Sequence, residues 1–513
     1  MSSDLSKVLK KMMPALLISS IGLIYFYYLP TSYDFDGTVF SQTLRDVLIK
    51  GGLGEVIQAH HPLYYPLAFF IYKALQITAG YNVLEYFHLQ MFSFFFGLLT
   101  LVFCYKIVRK AVEPVVFQYM GIILIAFSYG FWYYSVEAEV HIAALFFVTA
   151  GFYYTFFKFD TPLKLHQVVL SALCFSLAAG FHLTNGLIAV SVCLIFLIEK
   201  RTFIRIFQFL SFYFLFFFTI ASIFFIFHKA NPVDLFKNQL FGKDLLTGYY
   251  MNYWNDFSLT TLWQSLKAVA GGILSRSTEI TSILSILFFL TALIIIATAW
   301  FKRRGEKIYY RLFLWLLPYF LFFSFWDTKK IEFKLNIILP IIILFIVSIA
   351  RLIRGKITCV LTLILMCIVP VLNVRFVIST ASDIQKNRKY LVARKVGEAA
   401  PPDSIIVIAG VGSVVSKFNK IYLPYFAHRK VYILDWVLGR KISFADIYSQ
   451  IRFQRYRGTP ILFFSEVTYL SKSLKALLEN HGIQEETYFN FLKKLNFKEN
   501  IPLIDGYFLK PVE

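Results

Sequence analysis

The chain has 513 residues, of which 58% are hydrophobic and only 16% charged, with a mean hydropathy of +0.64. That composition excludes a water-soluble globule, which would run out of polar side chains to cover its surface. The net charge of +21 does not point to nucleic acid, because much of the Lys and Arg stands at the ends of apolar runs, where membrane orientation accounts for it.

Crossing ~30 Å of hydrocarbon takes roughly 20 apolar residues. By that ruler, spans are expected near 14–30, 86–105, 115–134, 140–157, 165–183, 184–199, 206–227, 280–301, 312–326, 335–350 and 357–374. The first run follows a basic start but has no small-residue cleavage site, so it reads as a retained span rather than a signal peptide. Five basic clusters, beginning with Lys7/Lys10/Lys11 and ending with Arg351/Arg354/Lys356, fall on one side if the N-terminus is cytoplasmic. The run 63–77 would invert this pattern if it crossed. Being short and carrying Lys73, it is expected to lie along the outer surface as an interfacial helix. Each of the five cysteines lies in an apolar run and behaves as a small hydrophobe.

The fold class expected is therefore a polytopic α-helical membrane module over 1–375, with outer loops at 31–85 and 228–279. From 376 to 513, strand-like runs (SIIVIAG, KVYIL, PILFF) alternate with amphipathic stretches, the pattern of a small extracytoplasmic α/β domain. GVGS at 410–413 is too short for a dinucleotide fingerprint and reads as a turn after a strand.

Glu199, the last residue of 184–199, is the one Asp, Glu, Lys or Arg within the expected spans, and none lies near a span centre, which disfavours ion-coupled transport. Acids and histidines instead crowd the outer span ends. In the first loop, Asp36 is expected to open a helix with Phe40 four positions on. There the helix dipole and free N–H groups stabilise a carboxylate, a role compatible with plain capping. Asp34 competes for the same chemistry. His60 and His61 precede Pro62, and such histidines can face phosphate, metal or a carboxylate. Glu137 and Glu139 stand where a span leaves the bilayer, and His182 and Asn185 at another span end. Near Glu332, Lys329, Lys330 and Lys334 lie on the outer side against the orientation rule and call for a partner such as a lipid-linked phosphate. Arg276 is a further cation of this kind.

Asp36 with Phe40, His61-Pro62-Leu63-Tyr64-Tyr65, the acidic turn Ala138-Glu139-Val140 and His182-Leu183-Thr184 together resemble the lipid-sugar-dependent glycosyltransferases of the GT-C fold. That class includes protein O-mannosyltransferases and the aminoarabinose transferase of lipid A, and the likeness is closest to the bacterial O-mannosyltransferase-like branch. It rests on residues 14 to about 200, with topology alone supporting it to 374. The chain departs from the pattern in reading His-His-Pro-Leu for the common His-Pro-Pro, and Asp-Phe-Asp-Gly in the first loop.

The resemblance implies inverting transfer of one sugar from a polyprenyl-phosphate carrier to a protein, lipid or glycan at the outer face of the bacterial inner membrane. Asp36 would be the base, with Asp34 as alternative and Glu139 as a further catalytic group. His182, Lys329, Lys330, Lys334 and Arg276 would meet the donor phosphate. His60, His61, Glu137, Asn185 and Glu332 would bind substrate or a divalent metal ion, whose involvement the sequence leaves open. A lipid-sugar flippase or a non-catalytic envelope assembly protein is the alternative.

Overall fold

A computed structural model describes residues 2–51, 61–158, 164–201, 203–228, 254–256, 258–303, 305–353 and 356–513. The chain divides into two compact units, Met1–Pro30 with Thr43–Ser382, and Thr31–Gln42 with Asp383–Glu513.

The first unit is helical. Among the described residues, five of its helices are long and apolar enough to cross a membrane: Glu85–Ala111, Phe203–Ser222, Glu279–Lys302, Glu332–Leu352 and Thr362–Ala381. Met12–Tyr27, His141–Phe157, Leu165–Phe181 and Leu183–Ile198 are shorter apolar helices. Lys307–Phe323 carries Arg311 within its second turn. Tyr64–Ala79, where an interfacial helix is expected, has 16 residues, short of a bilayer crossing. Within the expected loop 228–279, Leu259–Ile273 is helical. Its apolar residues recur at helical spacing, a signal masked by the surrounding polar residues.

The single span expected at 115–134 is a bent pair, Val115–Ala126 and Tyr129–Val136, meeting at 61°. A break inside an apolar bundle frees backbone carbonyls that lipid cannot satisfy, and here each meets a donor. The Tyr25 hydroxyl donates to the Ala126 carbonyl. Ser128 Oγ donates to Ile125 O at 2.7 Å, and Asn373 Nδ2 to Phe127 O at 2.8 Å. The same Asn373 amide donates to Ile273 O at 2.9 Å and accepts from the Ser275 N–H at 3.0 Å. One buried side chain thus joins the bend, the end of Leu259–Ile273 and the last long helix. Close packing fixes the bend further, since a Cβ on Gly97 would stand 2.6 Å from Ser135 Cβ.

The second unit is built on a five-stranded sheet of order β2-β1-β3-β5-β4, where β1 is Ile405–Ile408, β2 Lys430–Ile433, β3 Ile461–Phe464, β4 Ile501–Pro502 and β5 Phe508–Pro511. β1 pairs in parallel with β2 and β3, and β5 pairs antiparallel with both β3 and β4. Helix Val414–Phe426 connects β1 to β2, and Phe444–Tyr456 precedes β3, as parallel neighbours require. Ile406, Ile408, Leu462 and Phe464 face the layer containing Val396, Tyr422 and Leu423. Val407, Ile461 and Phe463 face the layer containing Ile451, Leu477 and Tyr488. Burial on both faces explains why these strands read as continuous apolar runs. The GVGS turn follows β1 as expected, with Gly410 and Gly412 at φ +82° and +83° and Ser413 capping the next helix.

Candidate functional site

In the second unit, Asp34 and Asp36 take different roles. Asp34 Oδ2 accepts the Asp36 backbone N–H at 3.1 Å, and its carbonyl accepts the Thr38 N–H at 3.0 Å and hydroxyl at 2.6 Å. Helix Phe35–Lys50 therefore starts from an Asp34 cap, and Asp36 stands exposed in its first turn. Capping, the plain role open to Asp36, thus falls to Asp34, while Asp36 keeps its place at the helix start. Phe40 is buried one turn on.

In the first unit, three histidines from distant stretches form a row. The His61 and His182 rings lie 4.9 Å apart between centroids, and His182 and His141 lie 4.6 Å apart. His61 follows from its position ahead of Tyr64–Ala79, with Nδ1 3.2 Å from Phe181 O. His182 ends Leu165–Phe181, and its Nδ1 lies 2.6 Å from Thr184 Oγ1. Asn185 Nδ2 donates to His182 O at 3.1 Å, and Asn185 Oδ1 accepts from Asn336 Nδ2 at 2.7 Å. His141, Thr184, Asn185, Glu332 and Asn336 line one small cavity with Tyr319 and Phe333. His60 lies outside the described residues.

Glu137 and Glu139 are buried in a tight turn. Glu137 Oε1 accepts from the Tyr86 hydroxyl and, at 3.0 Å, from the Ala138 N–H. Ser93 Oγ donates to the Glu139 carbonyl at 3.0 Å. Burial and then the Glu139 carboxylate push the nearby Tyr64 phenol well above its ordinary pKa.

The expected phosphate-binding cations separate into three settings. Lys330 Nζ pairs with Glu332 at 3.0 Å, and Glu332 also accepts from the Tyr134 hydroxyl at 3.0 Å. Lys334 is fully buried and donates to the carbonyls of Phe323 at 2.8 Å and Asp327 at 3.2 Å, so its ammonium closes the end of Lys307–Phe323. That placement removes Lys334 as a phosphate ligand. Burial raises the Asp327 carboxyl, and Lys330 opposes the effect.

Lys329 and Arg276 do come together. They line an open cavity of about 250 Å³ with Gln264, Lys267 and Ala268. Gln264 is held by the Thr328 hydroxyl at 3.3 Å. Gly271 lets the Arg276 stem fold back along the helix end, since a Cβ there would lie 3.1 Å from Arg276 Cδ. Among the described residues, three cations and no acid line this space, which suits a multiply charged anion. Lys267 is not legible in the sequence, because its helix lies within a stretch that reads as loop.

No family model matches the chain, and no match is found among curated proteins. Solved structures do match it across nearly its whole length. ArnT from Cupriavidus metallidurans in the apo state has a TM-score of 0.64 at 11% identity, covering 97% of each chain. ArnT bound to undecaprenyl phosphate has a TM-score of 0.65 at 10% identity, again covering 97% of each. The Archaeoglobus fulgidus oligosaccharyltransferase in the apo form has a TM-score of 0.53 at 11% identity, covering 98% of this chain and 74% of its own. At such identities the likeness is one of fold: this chain is an integral membrane protein with the GT-C fold.

Proposed function

We propose that the protein transfers one sugar from a polyprenyl-phosphate carrier to an acceptor hydroxyl on a protein, lipid or glycan, with inversion at the anomeric carbon. The observation that carries this reading is the cavity lined by Lys267, Arg276 and Lys329, with no acid among its described lining residues, in a chain whose fold is that of ArnT, solved with undecaprenyl phosphate bound. An archaeal oligosaccharyltransferase of the same fold, solved with a dolichol-phosphate, supports the same class of donor.

Asp36 acts as the base. It takes the acceptor proton as the acceptor oxygen bonds to the anomeric carbon, and the bond from that carbon to the phosphate oxygen breaks. The departing polyprenyl phosphate gains one negative charge, which Lys267, Arg276 and Lys329 stabilise more strongly than the uncleaved diester. The row of His61, His182 and His141 with Asn185 supplies polar groups for the sugar, and Glu139 is a further catalytic group. The basic clusters support a cytoplasmic N-terminus, with this chemistry and the C-terminal domain outside the bacterial inner membrane.

The test is mass spectrometry of envelope glycans and glycoproteins from cells with the protein, without it, and with Asp36→Asn. A base contributes ~10²–10⁴-fold, so Asp36→Asn should reproduce the profile of cells lacking the protein. A wild-type profile for Asp36→Asn together with loss for Asp34→Asn would move the base to Asp34. Transfer by the purified protein in detergent separates an enzyme from a flippase, which forms no product there.

A further inference from the structure

The short stretch Thr31–Gln42, which contains Asp34 and Asp36, is folded as part of the C-terminal unit. Its backbone is gripped by side chains of that unit. Asn387 Nδ2 donates to Thr31 O at 2.6 Å. The Tyr422 hydroxyl faces Ser32 O at 3.2 Å and donates to Tyr33 O. The Tyr33 ring packs on Tyr390 and Phe426 with centroids 5.4 and 5.0 Å away. Phe35 meets Phe418 edge-on at 5.5 Å.

Tyr33 stands at φ +42°, a left-handed conformation that a bulky side chain adopts only where its surroundings impose it. The next residue is the Asp34 cap, so this turn sets where the first turn of Phe35–Lys50 begins and where Asp36 projects.

We propose that Asn387 and Tyr422 are positioning residues for the transfer reaction, and that the C-terminal domain serves as the mount for the loop carrying the base. This rests on the reading of Asp36 as that base. A structural α/β cap without such a role would have no need to hold three consecutive carbonyls ahead of Asp34.

The chemistry of the two side chains lets the mount be loosened without unfolding the domain. Asn387 Oδ1 also accepts the Tyr390 N–H at 3.1 Å, capping helix Arg388–Ala399. Asn387→Asp keeps that cap and loses only the donor to Thr31. Tyr422→Phe keeps the buried ring and loses the hydroxyl.

The double variant N387D/Y422F is to be made in the full-length protein. Hydrogen exchange should quicken at least tenfold at the amides of 33–38 and stay unchanged at β1 and β3. Affinity for undecaprenyl phosphate, the probe for the donor site, should stay within twofold, and the protein-dependent glycan signal in cells should fall at least tenfold. The single variants Asn387→Asp and Tyr422→Phe should each fall between wild type and the double. Unchanged exchange at 33–38, equal quickening at β1 and β3, tenfold weaker binding of undecaprenyl phosphate, or a full glycan signal with a loosened loop would each overturn the proposal. An active Asp36→Asn would remove the base assignment while leaving the exchange measurement intact, so the two failures are distinguishable.

Discussion

Glu466 lies in the turn just after β3, with its side chain buried against the turn after β1. Its Oε1 accepts from Ser416 Oγ at 2.8 Å and the Ala409 N–H at 3.2 Å. Burial nonetheless pushes its pKa up to about 7 from 4.5. A folded value above the unfolded one means the folded state binds the proton more tightly. The stabilisation is complete below about 4.5 and is lost as pH rises through about 7. At about 1.4 kcal/mol per pH unit, that gap amounts to roughly 3 kcal/mol. The urea midpoint of the C-terminal domain, read by a brief protease pulse on the full chain, should fall between pH 5 and 8. Glu466→Gln should flatten that dependence, and an unaltered slope would contradict the assignment. At the cation-lined cavity, replacing Lys267, Arg276 or Lys329 by Ala should each weaken undecaprenyl phosphate binding by about tenfold, the size of one charge-assisted hydrogen bond. Lys330→Ala should do less, because that ammonium already faces Glu332. Equal effects at all four positions would argue for a diffuse field rather than a site.

Among the helices, the bent pair Val115–Ala126 and Tyr129–Val136 depends on Asn373. Asn373→Ala would leave two buried carbonyls and one N–H without their partner, each costing about 1–3 kcal/mol. A thermal midpoint lowered by several degrees in detergent is expected, and one unmoved would mean that water replaces the amide. The apolar runs were legible as helices because periodicity and length are local properties. The bend was not, since Phe127-Ser128 carries neither Gly nor Pro and its carbonyls are satisfied by Tyr25 and by Asn373, 246 positions away. The same limit explains the site. Arg276 and Lys329 were visible as cations on the wrong side of an orientation rule, but their meeting with Lys267 is a property of packing. The Lys334 cap of Lys307–Phe323 looks identical in sequence to its neighbours Lys329 and Lys330, because only burial distinguishes them.

At the scale of the whole molecule, the sidedness of the basic clusters makes the topology testable. A cysteine placed at Arg303 should resist an impermeant thiol reagent in intact cells and react after permeabilisation. Reaction in intact cells would invert the arrangement, and with it the side on which the cation cavity opens. The division into two units also changes what a truncation means. Deletion from 383 onward removes Asn387 and Tyr422 along with the domain, so loss of product in that deletion would not place the reaction in the domain itself.

The distance along the chain between the loop and its mount has a consequence in time. Ser32 and its partner Tyr422 are 390 positions apart. A ribosome adding ~5–20 residues per second separates them by on the order of 20–80 s. For that interval the helices enter the membrane one after another while the turn bearing Asp36 has nothing to fold against. On the proposed function, a nascent chain would thus already sit among lipid-linked sugars, yet it would stay idle until its last quarter has been made.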